Sequence, residues 1–450
     1  MKQGKGSPPR VYIETFGCQM NDYDSARMLR LLAADGYEAA AQPNEADVII
    51  INTCSVRDKA EQKALSRIGR LKKLRKHNPD LKYVLAGCLA QRRGRALLHQ
   101  MPYLHLVLGT AAVDRLQQHL QALDRGTRTI VDIEMEDEGA GVCRDFGDIV
   151  PGKGSPVAAF TTVMKGCDNY CAYCIVPYVR GHERSRAPAE ILREVGLLVA
   201  NGVREITLLG QNVNSYGQTL EPPLDFTELL QRVHEIDGLR RIRFTTSHPK
   251  DLSDRLIAAF AELPKLAGHI HLPVQSGSNR VLARMGRGYT IEQYLQQVQQ
   301  LRQTRPEIAI TSDILVGFPG ESDEDFQQTL DLIESVRYSN TFSFRYSVRP
   351  GTMAAGFDDD VPEKEKINRL MILQERQRDI TFELHRALIG RTVDVLVERE
   401  QTDADKPRWS GKSGCYREVH FAGDGIHIGD VVTVKVVEAF ASSLRGTATG

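Results

Sequence analysis

Several features that would place the chain in a special class are missing from its sequence. In 450 residues there is no run of about 18 consecutive apolar residues, so we expect no membrane-spanning helix and no membrane partner. The charged Met1–Gly6 segment is not followed by an apolar stretch, so we expect no secretory signal and a cytoplasmic protein. Net charge is also absent, because 58 Lys and Arg balance 58 Asp and Glu, so charge alone neither favours nor excludes a polyanionic partner. With 41% hydrophobic residues, the composition excludes a disordered chain.

The chain contains eight cysteines, and their role has to be explained. A disulfide framework is not expected in a long chain without a secretion signal, so metal binding or catalysis is the better interpretation. The eight cysteines are Cys18, Cys54, Cys88, Cys143, Cys167, Cys171, Cys174 and Cys415.

The first predicted domain, residues 8–125, alternates short apolar runs with helical stretches, which is typical of a parallel sheet covered by helices. Cys18, Cys54 and Cys88 each follow a predicted strand, at the edge where open parallel sheets bind ligands. Three buried structural thiols and a zinc site remain alternatives. An iron–sulfur cluster with one open iron fits three ligands better. The predicted elements are strands at Val11–Thr15, Asp47–Asn52 and Leu81–Ala86 and helices at Tyr23–Ala34 and Val56–Lys76.

Residues 126–156 are rich in Gly, Pro and acidic residues and are predicted to form a linker that contains Cys143. From residue 157 to 388, six strands are each followed by helical stretches, which predicts a partial (β/α)6 barrel closed by the long helix Pro362–Leu388. Polar clusters such as Gln211–Asn214 and Ser247–Pro249 follow the strands, where barrels of this type carry their active sites.

At the end of the first barrel strand stand Cys167, Cys171 and Cys174, spaced Cys-x3-Cys-x2-Cys. Three thiolates on one short loop can hold three corners of a four-iron cluster and leave the fourth iron open to substrate. The alternative is half of a zinc site completed by His182 or Cys143.

This loop at the start of a (β/α) barrel resembles that of the radical S-adenosylmethionine enzymes. The resemblance implies a [4Fe-4S] cluster whose open iron chelates the amino and carboxylate groups of S-adenosylmethionine, and a 5′-deoxyadenosyl radical after reductive cleavage. It also assigns Gln211, in a string that departs from the usual amine-binding motif, together with Ser247 and His248, to cofactor binding.

With the Cys18/Cys54/Cys88 domain in front, nearly the whole chain resembles the tRNA branch of the methylthiotransferases, of MiaB type. The resemblance implies methylthiolation of carbon 2 of isopentenyladenosine next to the anticodon, with two [4Fe-4S] clusters and two S-adenosylmethionine molecules. We expect a monomer that acts on tRNA with an electron donor and a sulfur or cluster supply system, and we assign no catalytic side chain. The strings that carry the resemblance are Phe16–Asn21, Asn52–Arg57, Val176–Gly181, Gln211–Asn214 and Phe244–Pro249.

Residues 389–450 alternate in period two and predict a small antiparallel β-barrel, which resembles the RNA-binding TRAM domain. Basic residues in three places are RNA-binding candidates, although a solvated helix face explains the first group equally well. These candidates are Lys59, Lys63, Arg67 and Arg70, then Arg180 and Arg184, then Lys412 and Arg417.

Three other functions stay open. A related enzyme class methylthiolates a ribosomal protein side chain, and another tRNA adenosine derivative is a further possible substrate. A metal-dependent RNA-binding module without activity would explain the basic residues and the terminal barrel, but not an open-site cluster loop in a catalytic barrel.

Overall fold

The computed structural model describes residues 8–55, 58–135, 157–401 and 408–449. Their contacts divide the chain into two compact units, which do not follow the linear order of the sequence. The first unit takes in the described residues up to Met135 together with Lys165–Asp168 and Cys174–Arg186. The second consists of Val157–Met164, Asn169–Tyr173 and the residues from Ala187 onward. Within the described ranges, no helix is both long enough and apolar enough to cross a bilayer.

A six-stranded parallel sheet forms the centre of the first unit, in the order β2-β1-β3-β4-β5-β6. Its strands are β1 Arg10–Phe16, β2 Glu38–Ala39, β3 Val48–Thr53, β4 Lys82–Gly87, β5 Leu106–Leu108 and β6 Ile130–Asp132. Its helices are α1 Gln19–Ala34, α2 Asp58–Leu71, α3 Cys88–Arg93, α4 Ala96–Gln100 and α5 Leu116–Asp124.

The sheet is covered on both faces, which explains why its central strand is an uninterrupted apolar run. Every residue of β3 is buried, with Ile49 and Ile51 in one apolar core and Val48 and Ile50 in the other. The strands confirm the predicted parallel α/β domain.

The predicted linker began too early, because Ile130–Asp132 pair in parallel with β5. A strand of three residues next to a Gly-rich and acidic stretch has too little periodicity to be recognised.

The second unit begins with six parallel strands, each of the first five followed by helices, which confirms the partial (β/α) barrel. They form two three-stranded sheets, in the orders β7-β10-β11 and β12-β13-β14. The strands from residue 157 to 345 are β7 Ala158–Thr162, β8 Met164–Lys165, β9 Arg184–Ser185, β10 Glu205–Leu209, β11 Arg241–Thr245, β12 His269–His271, β13 Ala309–Val316 and β14 Asn340–Arg345. The helices are α6 Val176–Arg180, α7 Pro188–Ala200, α8 Phe226–His234, α9 Asp254–Glu262, α10 Asn279–Arg284, α11 Ile291–Thr304, α12 Asp323–Val336 and α13 Glu363–Arg386.

The two faces of the barrel strands differ in chemistry. One face of β10–β13 packs Ile206, Ile242, Ile270 and Ile310 into the large core beneath the helices. The opposite, inner face carries polar side chains, because successive residues of a strand point to opposite sides.

The C-terminal part of this unit is a closed five-stranded barrel in the order β15-β16-β17-β19-β18. The prediction of a purely antiparallel barrel needs one correction, because β17 and β19 pair in parallel. These two strands are not consecutive, and the pair closes the barrel across the intervening β18. The strands are β15 Thr392–Gln401, β16 Arg408–Ser413, β17 Glu418–Ala422, β18 Val431–Ala439 and β19 Ser443–Ala448.

Candidate functional site

Three cysteines lie at the same edge of the first sheet, each just after a parallel strand. The final residues of β1, β3 and β4 are paired in register, so the chain leaves the three strands at one level. Cys18 caps the start of α1, Cys54 follows β3 directly, and Cys88 is the first residue of α3. Cys54 and Cys88 are buried and Cys18 is half-buried. The structure therefore brings together the three thiols that the sequence placed at strand ends.

Two glycines allow the backbone to pack tightly around these thiols. A Cβ on Gly17 would stand 2.8 Å from the Cβ of Cys54, which real Cβ atoms essentially never do. Gly87 has φ +92°, and a Cβ there would stand 2.4 Å from the carbonyl oxygen of Thr53. Both positions therefore need glycine for the cysteines to reach the same edge.

The thiols differ in their readiness to ionise. A hydrogen bond with Cys54, assisted by Arg180 and the backbone N–H groups of Asn21 and Met20, lowers the pKa of Cys18 to about 6 against the opposing effect of burial. Burial raises the pKa of the Cys88 thiol, and Arg180 partly offsets this. Thiolate is the form of cysteine that binds metal, and Cys18 is the thiol of this group that the surroundings favour as a thiolate.

The guanidinium of Arg180 is buried beside these sulfurs. Its side chain is 5% exposed, its Nη2 donates to Oδ2 of Asp24 at 3.0 Å, and its positive charge favours the thiolate form of Cys88. Its pKa lies above the ordinary arginine value: burial lowers it, but the charges of Cys88, Asp24 and Cys18 outweigh burial. The prediction that Arg180 contacts RNA phosphate is wrong for this structure, because the side chain faces the cysteines and is not at the surface.

Helix α6, which carries Arg180, packs as part of the first unit. Ile175 and Val179 form a small apolar cluster with Cys88. The hydroxyl of Thr110 donates to the carbonyl oxygen of Val179 at 2.5 Å. The helix that follows Cys174 in the sequence is therefore part of the wall around the first cysteine group.

Two buried amides, Asn21 and Asn52, also support this group, and the sequence alone does not indicate their role. Asn21 Nδ2 donates to Oδ1 of Asn52 at 3.2 Å, and Asn52 Nδ2 donates to the carbonyl oxygen of Asn21 at 2.9 Å. Asn21 Oδ1 accepts from Sγ of Cys18 at 3.4 Å. These bonds tie the start of α1 to the end of β3.

The second cysteine group lies between β8 and α6. Cys167 and Cys171 are buried and Cys174 is half-buried. His182, which the zinc alternative required, is exposed and places Nδ1 2.8 Å from Oδ1 of Asp168. Across the described ranges, no three side chains drawn from His, Cys, Asp and Glu are grouped closely enough to hold a single metal ion.

Cys171 has a buried cationic neighbour that sequence reasoning missed. Arg287 Nη1 donates to Sγ of Cys171 at 3.4 Å, Nη2 donates to the carbonyl oxygen of Pro273 at 2.7 Å, and Nε donates to the hydroxyl of Tyr289 at 3.2 Å. Gly286 and Gly288, both with positive φ, flank this arginine, and that pattern was the available signal.

Buried polar atoms without partners lie beyond the ends of β10 and β11. Among the described residues, Oδ1 of Asn212, Oδ1 of Asn214, Oγ of Ser247 and Nε2 of His248 have no hydrogen-bond partner. Because unsatisfied buried polar groups are costly, such a cluster points to a polar ligand. Gln211, the third predicted cofactor residue, lies half-buried directly after β10.

His248 is held in one protonation state. Burial, followed by Arg287 and Lys250, lowers its pKa to about 2, so the ring is neutral. Nδ1 accepts from the backbone N–H of Lys250 at 3.3 Å, and Nε2 therefore carries the proton. A ligand there would find a hydrogen-bond donor.

The inner face of the barrel strands carries buried ionisable groups. Arg241 and Arg243 form buried ion pairs with Glu205 at 3.1 and 3.0 Å. His271 places Nε2 3.5 Å from Oδ1 of Asp313. The inner surface is thus polar and charged, which suits a polar substrate.

The turn between β16 and β17 docks onto this inner face. Arg243 Nη2 donates to the carbonyl oxygen of Ser413 at 2.7 Å, and Arg241 Nη1 donates to that of Lys412 at 2.9 Å. The ring of Tyr416 stacks on His269, with centroids 5.0 Å apart. Lys412, one of the predicted RNA-binding residues, is half-buried and lies over the Tyr416 ring of the same docked turn.

Arg417 of the same turn is half-buried, and its backbone N–H donates to Oγ of Ser413 at 3.1 Å. Its Nε is buried without a hydrogen-bond partner among the described residues.

The predicted RNA-binding residues of the basic helix α2 differ in exposure and in their partners. Lys63 and Arg70 are exposed, whereas Arg67 donates from Nε to Oε2 of Glu14 at 2.7 Å. The side chain of Lys59 lies outside what the structure describes. Arg184, in the short strand β9, is half-buried.

The two remaining cysteines are Cys143 and Cys415. Cys143 lies outside the described residues. Cys415 donates from Sγ to the carbonyl oxygen of Glu307 at 3.4 Å.

Comparison with known proteins agrees with this architecture. Residues 10–109 match the uncharacterized protein family UPF0004, residues 161–333 match the radical SAM superfamily, and residues 386–449 match the TRAM domain. Among solved structures, a radical S-adenosylmethionine methyltransferase from Kitasatospora setae, with cobalamin and a [4Fe-4S] cluster bound, is 12% identical with a TM-score of 0.55. The match covers 89% of this chain and 78% of that one, and it shows a shared fold.

The match over residues 161–333 shows that the chain contains a radical SAM domain. A tRNA-2-methylthio-N(6)-dimethylallyladenosine synthase of Desulfosudis oleivorans is 49% identical over 98% of this chain and 97% of its own length. One of Geobacter metallireducens is 50% identical, and the match covers 97% of both chains. The chain belongs to the family of tRNA-2-methylthio-N(6)-dimethylallyladenosine synthases.

Proposed function

We propose that this chain methylthiolates carbon 2 of isopentenyladenosine next to the anticodon of tRNA. The observation that carries the proposal is the presence of two separate three-cysteine groups, each with a buried arginine beside it, in a chain of this family. One group alone provides for radical generation and leaves the source of sulfur unexplained.

The residues of the first group fit an iron–sulfur cluster. Three thiols at one sheet edge, one of them with a lowered pKa, provide three ligands and leave one iron open. Arg180 balances part of the negative charge that three thiolates bring. We assign residues 8–125 to the cluster that donates sulfur, with Cys18, Cys54 and Cys88 as its ligands.

In the barrel, residues 157–388, Cys167, Cys171 and Cys174 hold the second cluster. S-adenosylmethionine bound at that cluster supplies the radical that activates the substrate. Ser247 and His248 carry unpartnered buried atoms suited to a polar cofactor, and the neutral ring of His248 donates from Nε2. Gln211 belongs to the same site by its position after β10.

The RNA is bound in two ways. Lys63 and Arg70, exposed on α2, position the phosphates, with Lys59 and Arg184 as further candidates. The mouth of the barrel, beyond the carboxyl ends of its strands, receives the base. Residues 389–450 contribute as a TRAM-like RNA-binding domain, through surfaces other than its docked turn.

The test is a reaction of the anaerobically purified chain with S-adenosylmethionine, a reductant and two matched tRNAs, one with and one without the isopentenyl group. Mass spectrometry of the digested nucleosides should show methylthio transfer to the isopentenylated tRNA alone. Equal modification of both tRNAs would overturn the base preference. Modification of a ribosomal protein with neither tRNA changed would overturn the tRNA assignment.

A further inference from the structure

The pair formed by Arg180 and Asp24 is unusual in its place, because it lies among cysteine sulfurs and both side chains are buried. Arg180 is 5% exposed and Asp24 is 6% exposed, and their closest atoms are 3.0 Å apart. Taking two charges out of water is expensive, so a pair kept at this depth calls for a reason beyond stability.

The guanidinium is held on one side and faces the cysteine group on the other. Nη2 donates to the Asp24 carboxylate at 3.0 Å, which positions the group. The helix that carries Arg180 packs against Cys88 through Ile175 and Val179, and the positive charge acts on the Cys88 and Cys18 thiols. The cation is therefore positioned by Asp24 and directed at the sulfurs.

Charge near an iron–sulfur cluster changes its reduction potential, because reduction adds an electron to an already negative group. A cation stabilises the reduced form and raises the potential, and an anion lowers it. Hydrogen bonds to the ligand sulfurs act in the same direction as a cation.

We propose that Arg180 and Asp24 are an opposed pair of positioning residues that set the reduction potential of the cluster held by Cys18, Cys54 and Cys88. The inference rests on the proposed function, which places a cluster there. Arg180 raises the potential, and Asp24 both holds Arg180 in place and limits the rise.

The proposal is tested in the full chain with Cys167, Cys171 and Cys174 replaced by Ala, so that only the first cluster is observed. The potential is measured by a redox titration followed by electron paramagnetic resonance. Arg180→Gln should lower the potential and Asp24→Asn should raise it. Each change should alter the ratio of reduced to oxidised cluster at a fixed potential by about tenfold, which equals 59 mV for one electron.

Two further variants separate charge from structure. Arg180→Lys keeps the charge and should recover most of the potential. The double variant Asp24→Asn/Arg180→Gln removes both charges and should lie close to the parent. Arg67→Gln removes an arginine of the same unit that pairs with Glu14 instead of a cysteine, and it should leave the potential unchanged.

The outcomes distinguish this inference from the proposed function. Absence of iron from the triple Ala parent would contradict the first cluster itself. The role of the pair would be overturned if both variants keep their iron but shift the potential in the same direction or not at all. The two variants meant are Arg180→Gln and Asp24→Asn. If either single variant loses its iron, the potentials of Arg180→Lys and of the double variant still test the role of the pair. Both should lie close to the potential of the parent, and a large shift in either would overturn that role.

Discussion

Arg287 and Cys171 are joined by a hydrogen bond of 3.4 Å from Nη1 to Sγ, inside a region where both side chains are buried. The same guanidinium holds the Pro273 carbonyl oxygen at 2.7 Å. In the other unit, buried Arg180 acts through its charge on the Cys88 thiol. Each cysteine group therefore has one buried guanidinium directed at one of its sulfurs.

The first prediction concerns the contribution of Arg287 to the stability of the folded chain. Arg287→Met leaves the buried Pro273 carbonyl oxygen without its charged donor, so the apo chain should lose about 2–3 kcal/mol of unfolding free energy. Urea unfolding followed by circular dichroism measures this. Arg337→Met, which removes an exposed arginine paired with exposed Glu383, is the control and should change stability by less than about 1 kcal/mol. Equal losses in the two variants would show that the buried donor has no special weight.

A second prediction tests the docking of the terminal barrel. Arg243 pairs with buried Glu205 and donates to two carbonyl oxygens of the β16–β17 turn. Arg243→Ala leaves Glu205 with less charge compensation and should cost about 3–5 kcal/mol. In contrast, Arg445→Ala breaks an exposed pair with Glu438 and should cost less than about 1 kcal/mol. Hydrogen exchange of β16 should accelerate only in the first variant, and an unchanged exchange rate there would contradict the docked turn.

The pH dependence of the first unit is expected to depend on His105. Burial, with Arg75 and Lys82, lowers its pKa to about 4, and its Nδ1 accepts from the backbone N–H of Tyr83 at 3.0 Å. His105 takes up a proton near pH 6.5 in the unfolded chain but only near pH 4 in the folded chain. Stability is therefore full above pH 6.5 and falls toward pH 4, by at most about 1.4 kcal/mol per pH unit from this group.

Hydrogen exchange of the β4 amides across this pH range measures the effect. His105→Gln should flatten the dependence of protection on pH. His77→Gln, at an exposed histidine of the same unit, serves as the control. An unchanged slope in His105→Gln would assign the acid sensitivity to other groups.

Substitutions in the exposed helix α2 and in the docked β16–β17 turn should have different effects on RNA binding. Lys63→Glu/Arg70→Glu should weaken tRNA binding and flatten its dependence on salt, by about 0.7–0.9 in slope for each phosphate that is no longer neutralised. Lys412→Gln should leave both nearly unchanged, because Lys412 lies over the Tyr416 ring. Filter binding at several salt concentrations measures both quantities. A larger effect from Lys412→Gln would place RNA on the turn after all.

A final prediction uses the tight approach at Gly17. Gly17→Ala would force its methyl group against Cys54, so the chain should lose roughly half of its iron, about one four-iron cluster. Gly69→Ala, in α2, meets only the Tyr103 hydroxyl at 4.0 Å and should keep its iron. Iron and sulfide analysis of the two purified variants decides the matter, and full iron content in Gly17→Ala would contradict a cluster at this edge.

The sequence was sufficient for the features that repeat or have strict spacing. The buried run of β3 predicted a central strand, and cysteines directly after successive strands predicted a common edge, because parallel strands end on the same side of a sheet. Short β6 escaped notice because three residues give no periodicity.

Side-chain partners could not be predicted in the same way. Arg180 follows the cysteine loop in a basic stretch, and the sequence does not say that Asp24, 156 positions away, pairs with it. Lys412 and Tyr416 have the composition of an RNA-binding surface, and composition does not distinguish a base from a histidine ring as the stacking partner. Both outcomes depend on tertiary packing.

The inclusion of Cys174–Arg186 in the first unit also has a consequence for synthesis on the ribosome. The last strand of the first sheet, β6, ends at Asp132, whereas Arg180 follows roughly fifty residues later. At about 5–20 residues per second, the nascent chain spends about 2–10 s between these two points. During that interval the strands that bring Cys18, Cys54 and Cys88 together are already made, while the helix that covers them does not yet exist. If this edge holds the cluster proposed above, translation leaves a period in which iron and sulfide can reach the three cysteines before α6 is made.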